Sequence, residues 1–213
     1  MDSIRQPNLP RVSDALDLSN LAITDEAIFR EVVISNCSLE GQVAEGVVFE
    51  SVQLNNVKLR EAIFERIEMS DLRLQNCDLA NMDCRDGIFH RVEIVQCRLT
   101  GCRFVEIHMQ NVLVSDCSGK FAQFQFTKFK SCRFEGCDLR ESNFQGADLR
   151  GVIFSECDLR NAEMSQSNLE RADLSSSNID GLRINQESLK GLIVEPLQAA
   201  YLSSLFGLKV RWS

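Results

Sequence analysis

Residues 137–176 read CDLRE SNFQG ADLRG VIFSE CDLRN AEMSQ SNLER ADLSS when divided after every fifth letter. The third letter of each group is large and apolar: Leu139, Phe144, Leu149, Phe154, Leu159, Met164, Leu169, Leu174. The first is usually small, as at Cys137, Ala147, Cys157, Ala162 and Ala172, and the second is often Asp or Asn. A period of five fits neither the helical period of about 3.6 nor the strand period of about 2. Such a chain turns a corner every five residues, with two side chains of each five pointing in and three pointing out.

Followed outward from this stretch, the beat holds from Phe29 to Val194 with no slip of register, and only Gly119 lacks an apolar side chain on the large site. The small site carries Ala27, Cys37, Val57, Ala62, Cys77, Cys97 and Ala122 among others, with Gln42 and Glu187 as polar exceptions. A longer period lies inside the short one. Leucines recur at Leu39, Leu59, Leu79 and Leu99, phenylalanines at Phe104, Phe124 and Phe144, cysteines at Cys77, Cys97, Cys117, Cys137 and Cys157. Four edges of five residues close a square coil of twenty, in which like stacks on like.

The consensus A/C-D/N-L/F-x-x resembles the pentapeptide-repeat family over residues 27–194. The resemblance implies an all-β fold, a quadrilateral right-handed parallel β-helix, closed here by a short C-terminal capping and dimerisation helix. At ~4.8 Å per coil the repeat makes a rod ~40 Å long. Three regions follow: 1–26 as an N-terminal cap, 27–194 as the β-helix, and 195–213 as C-terminal helix and tail for dimerisation. Leu16, Leu18, Leu21 and Ile23 are expected to cover the first coil.

The chain has 213 residues and is 44% hydrophobic and 25% charged, which suits one continuous solenoid. The N-terminus has no apolar core of a signal peptide, and no run approaches the ~18 apolar residues of a membrane span. The net charge of −8 argues against direct nucleic-acid binding and against an anionic membrane, since both select a basic surface. The nine cysteines invite a metal or disulfide reading. Yet all fall on inward sites, Cys84 on the large one and the rest on the small one, where a thiol serves as a small hydrophobe. There is no CxxC and no His/Cys spacing of a zinc site, so no metal or cofactor is expected, and reduced thiols point to the cytoplasm.

Catalytic residues are not apparent. His90 and His108 sit on outward positions of one edge without a nucleophile nearby in sequence, and a packed solenoid leaves no substrate pocket, so the chain reads as no enzyme. Gly119 would leave a void or let the rod bend. Phe121 and Phe126 follow on outward positions, either as an exposed contact patch or as a cover for that gap.

At the C-terminus Pro196 suits a helix start and Gly207 its stop. Leu197, Tyr201, Leu205 and Leu208 form one apolar stripe, which Leu202 and Phe206 widen. One stripe can cap the open end of the coil, and the surplus surface calls for a second chain. A dimer through Leu197, Tyr201, Leu202, Leu205, Phe206 and Trp212 is expected, against a thick monomeric cap as the alternative. The ending GLIVEPLQAAYLSSLFGLKV resembles the C-termini of the Qnr and MfpA quinolone-resistance branch. That resemblance implies a dimer that mimics duplex DNA, binds DNA gyrase or topoisomerase IV in its place, and protects the enzyme from quinolones. The candidate acidic face is Glu93, Asp116, Glu135, Glu156 and Asp173. A neighbouring edge is mixed and holds Lys128, Lys130, Arg150 and Arg171 among its acids. Duplex DNA of ~40 Å carries ~24 charges at one per ~1.7 Å, about three times the charge here. A non-catalytic protein-protein interaction scaffold or regulator is the alternative.

Overall fold

The computed structural model describes residues 4–10, 15–16 and 22–211. Its strands are β1 (Ala15–Leu16), β2 (Ile28–Arg30), β3 (Val33–Ser35), β4 (Val43–Glu45), β5 (Val48–Asn55), β6 (Ile63–Glu65), β7 (Glu68–Gln75), β8 (Ile88–Val95), β9 (His108–Ser115), β10 (Lys128–Lys130), β11 (Arg133–Glu135) and β12 (Ile153–Ser155). A single 3-10 turn, Gln186–Leu189, and helix α1 (Pro196–Leu205) follow.

Every rung of the repeat is parallel and steps by twenty residues. Ile28 pairs with Val48, Val48 with Glu68, Glu68 with Ile88, Ile88 with His108 and His108 with Lys128. The same column continues through Asp148 to Asn168. Three more columns run beside it, so the chain is a parallel β-solenoid with four faces. We number the faces from their inward residues: the first holds Phe49 and Phe89, the second Leu54 and Ile94, the third Leu59 and Leu99, the fourth Phe64 and Phe104.

The corners explain the beat. Two residues after each large inward residue φ is positive, at every fifth position from Glu31 to Arg171. Asn and Asp recur there, at Asn36, Asn56, Asp71, Asn76 and Asn111, because short polar side chains tolerate the left-handed region. Asp or Asn just before the large residue bridges the corner as an Asx turn. The Oδ1 atoms of Asp78, Asn143 and Asp173 accept from the amides of Ala80, Gln145 and Ser175. This contact is the physical content of the D/N in the consensus.

The small inward site serves the backbone as well as the core. The Cys117 thiol donates towards the carbonyls of Ile94 and Ser115, at 3.4 and 3.1 Å, and its Sγ accepts from the amide of Cys97 at 3.3 Å. Beside this seam the large sites stack Phe124 on Phe144 at 4.8 Å and Phe134 on Phe154 at 4.9 Å, one coil rise apart. Burial pushes the Cys132 thiol up to about 11 and raises Cys84 and Cys102 as well, the Asp83 carboxylate adding to the shift at Cys84.

Gly119 neither opens a void nor interrupts the rod. A Cβ placed there would meet Leu139 Cδ2 at 3.0 Å, so the leucine of the next coil already fills the space. The ladder runs through it, with Ser118 bridging Arg98 and Asp138 and the Gly119 amide donating to Asp138 O at 2.7 Å.

The N-terminal region is more than a cap. Ile23 is buried, and its amide donates to Oε1 of Gln42, which accounts for the polar exception at that small site. β1 adds a parallel rung to β3. Residues 4–10 run along the outside of the rod as a strap: the Arg5 amide donates to Asn111 Oδ1, the Asn8 amide to Asp71 Oδ1, and Pro10 O accepts from Gln53. Leu18 and Leu21, expected over the first coil, lie outside the described residues.

Candidate functional site

Glu195 and Gln198 form a capping box at the start of α1, and Pro196 takes the first helical position. Gln198 Nε2 donates to the carbonyls of Leu174 and Ser177, at 2.9 and 2.7 Å, and so docks the helix on the last coil. Three and four residues on, Tyr201 accepts from the Gly181 amide through its hydroxyl at 2.7 Å, and Leu202 is buried. Spacing of three and four puts these residues on one helical face. Around this face apolar side chains stay open: Leu197 is 69% exposed, Leu208 64%, and Leu205, Phe206 and Val210 are exposed as well. Gly207, at φ 83, ends the helix in a Schellman turn, with the Leu208 amide reaching Ser203 O.

This geometry corrects the membership of the expected dimer surface. Leu202 and Tyr201 close the rod itself. Leu197, Leu205 and Phe206 remain outward, and Trp212 lies outside the described residues.

The candidate acidic face is less acidic than its sequence. Glu93 is buried and takes the Arg73 guanidinium at 2.7 and 2.8 Å, so it is removed from the set of exposed acids. Glu135 is paired with Arg133 at 2.9 Å, and Asp173 accepts from Ser175 through both amide and hydroxyl. Asp116 and Glu156 stand exposed at corners between the second and third faces. The repeated D-L-R compensates further: Asp138, Asp148 and Asp158 are each gripped by the arginine two residues on, at 2.6 Å. Those guanidinium groups hold the three carboxyls below the usual carboxylate range.

Phe121 and Phe126 flank the fourth face at two successive corners, exposed and at φ 62 and 58. Neither folds over Gly119. The Lys120 ammonium sits 4.6 Å from the Phe121 ring centroid, and the Phe126 ring lies across the backbone of Gly146 in the next coil. His90 contacts Arg91, which holds Asp71 below its usual range, and burial with the Arg91 charge lowers His90. Asp71 of this trio tethers the strap by accepting from the Asn8 amide.

One surface was not anticipated. A groove of about 1010 Å³ crosses the corner between the first and second faces, from Ile88 and His108 to Ile193. It is lined by Lys128, Lys130, Arg133, Arg150 and Arg171 against Asp148 and Asp173. The cations were visible as a mixed column, but their convergence depends on which coils stack and where the strap stops. Among the described residues no helix is long and apolar enough to cross a membrane.

A family model described as pentapeptide repeats matches residues 27–66, and another described as a pentapeptide repeat region matches 67–144 and 127–200. Among solved structures, a trypsin-treated form of QnrB1, a plasmid-mediated fluoroquinolone resistance protein, is similar at 20% identity and a TM-score of 0.34. That match covers 88% of this chain and 99% of that one. A second trypsin-treated form matches at 23% identity and 0.35, covering 96% and 99%. HetL of the cyanobacterium Nostoc sp. strain PCC 7120, involved in heterocyst differentiation regulation, matches at 15% and 0.32, covering 80% and 87%. No curated protein matches. The two family models together follow the five-residue beat from residue 27 to residue 200, and the chain belongs to the pentapeptide-repeat family.

Proposed function

We propose that this chain is a non-catalytic protein-binding rod, paired through its C-terminal end, that engages DNA gyrase or topoisomerase IV in place of DNA and protects it from quinolone-type poisons. The observation that carries the first part is the packed interior. Inward positions from Ile34 to Leu182 join one continuous apolar core, so the working surface is the outside. The apolar residues left open at the C-terminal end support pairing of two rods. The net charge of −8 and the rod shape support the choice of a DNA-handling partner. Buried free thiols such as Cys117 and Cys137 suit the reducing cytoplasm.

A second reading, a scaffold or regulator with a different partner, is favoured by one observation: two of the five acids of the candidate face, Glu93 and Glu135, are paired with arginine. A gyrase supercoiling assay with a fluoroquinolone, titrated with this protein, separates the two. Rescue of supercoiling is expected for the topoisomerase partner. Neither rescue nor inhibition at micromolar protein removes that partner and leaves the scaffold.

A further inference from the structure

The groove between the first and second faces has the opposite sign to the chain that carries it. Lys128, Lys130 and Arg171 are exposed, and none has an ion pair among the described residues. Arg150 and Arg133 are held by Asp148 and Glu135. Along the groove the wall is also apolar, with Ile88, Ile153 and Ile193.

Ile4, at the end of the strap, is part of the groove wall. The strap shows how a polypeptide lies on this corner. Arg5 and Asn8 are three residues apart, and their partners Asn111 and Asp71 are two coils apart. Two coils rise ~9.6 Å, and three extended residues span ~10 Å, so the strap is extended and in step with the rod. Its amides are taken by corner acceptors. Past Asn111 the same corner column continues with Ser131, Gly151 and Arg171, where acceptors give way to a cation.

We propose that this groove docks an extended acidic segment of a partner protein, with carboxylates against Lys128, Lys130 and Arg171 and apolar side chains on the isoleucines. Four coils beyond His108 rise ~19 Å, room for about six extended residues. Two observations favour a polypeptide over a nucleic acid. An extended polypeptide already occupies the collinear stretch, and Asp148 and Asp173 interrupt the cations in a chain of net charge −8, which repels a polyanion. The docking site rests on the reading of the rod as protein-binding, and it is separate from the C-terminal end.

The test is fluorescence anisotropy of a labelled peptide of about eight residues, Glu and Ile alternating, titrated with the full chain. Saturable binding is expected, weakened at least about tenfold in the triple variant Lys128→Glu, Lys130→Glu, Arg171→Glu, a loss of about 1.4 kcal/mol. Circular dichroism checks that the variant is folded; should it not be, Lys130→Glu alone is expected to weaken binding about threefold. No saturation, equal affinity in the folded variant, or tighter binding of an oligothymidine than of the peptide overturns the proposal. Lost peptide binding in the folded triple variant with gyrase protection intact supports the docking site and separates it from the topoisomerase contact. Retained peptide binding without gyrase protection removes the topoisomerase partner and keeps the docking site.

Discussion

A thiol at Cys117 or Cys132 and a hydroxyl at Thr127 or Ser177 make the same bond, to the carbonyl twenty-three residues earlier. The alternation of Cys with Ser and Thr at the small site therefore follows one requirement: a compact side chain that also serves a backbone carbonyl at the corner. Corner residues follow a different rule, because each sits at positive φ. Gly146 is the sharpest case. At φ 68, a Cβ there would also lie 2.6 Å from the Phe126 ring. Gly146→Ala is expected to cost about 1–2 kcal/mol for the left-handed conformation alone, plus the collision with Phe126. In a Phe126→Ala background the second part vanishes, so chemical denaturation of the four-member cycle should give a smaller Gly146→Ala penalty there. Equal penalties in both backgrounds would place the ring elsewhere.

The helix α1 meets the rod through Gln198, Tyr201 and Leu202, while Leu197, Leu205 and Phe206 stay exposed around the margin of that contact. Leu202→Ala removes a buried side chain from the rod's end and is expected to cost about 2–5 kcal/mol, read as a lower melting temperature. Leu205→Asp with Phe206→Asp is expected to leave melting nearly unchanged while halving the mass in gel filtration; an unchanged mass would rule out pairing through these residues. The repeat, its faces and the helix boundaries were legible because each is written as periodicity or as a capping residue. Which side of the helix faces the rod was not, since Leu197, Tyr201, Leu202 and Leu205 are all apolar enough for either. The docking bonds of Gln198 decide it, and they reach carbonyls more than twenty residues away. The strap was equally hidden. It has no period, and its partners Asp71 and Asn111 look like ordinary corner residues.

At the scale of the molecule, a solenoid adds stability coil by coil, each contacting its neighbours only. Charge follows the same logic. Arg91 reaches Asp71 and Arg73 reaches Glu93 across one coil, so ion pairs bind neighbouring rungs and spend acidity that would otherwise face outward. That is why the total of 31 acidic residues overstates the acid open to a partner, and why Glu93 left the candidate face. The basic groove is the complement of this pattern, a stretch where cations outnumber the acids beside them.

The strap turns the rod into a gauge of its own length. Because Arg5 and Asn8 are tied to rungs two apart, the spacing of those rungs is metered against an inelastic stretch of backbone. Excising residues 72–91 should splice the coils in register and preserve a cooperative fold. It would also draw Asn111 ~4.8 Å closer to Asp71, leaving three extended residues too long for the gap. Hydrogen exchange at the Arg5 amide should then speed up, whereas excising residues 142–161, beyond the tether, should leave it slow. Growth or loss of whole coils is thus free along the distal half of the molecule and metered along the proximal half.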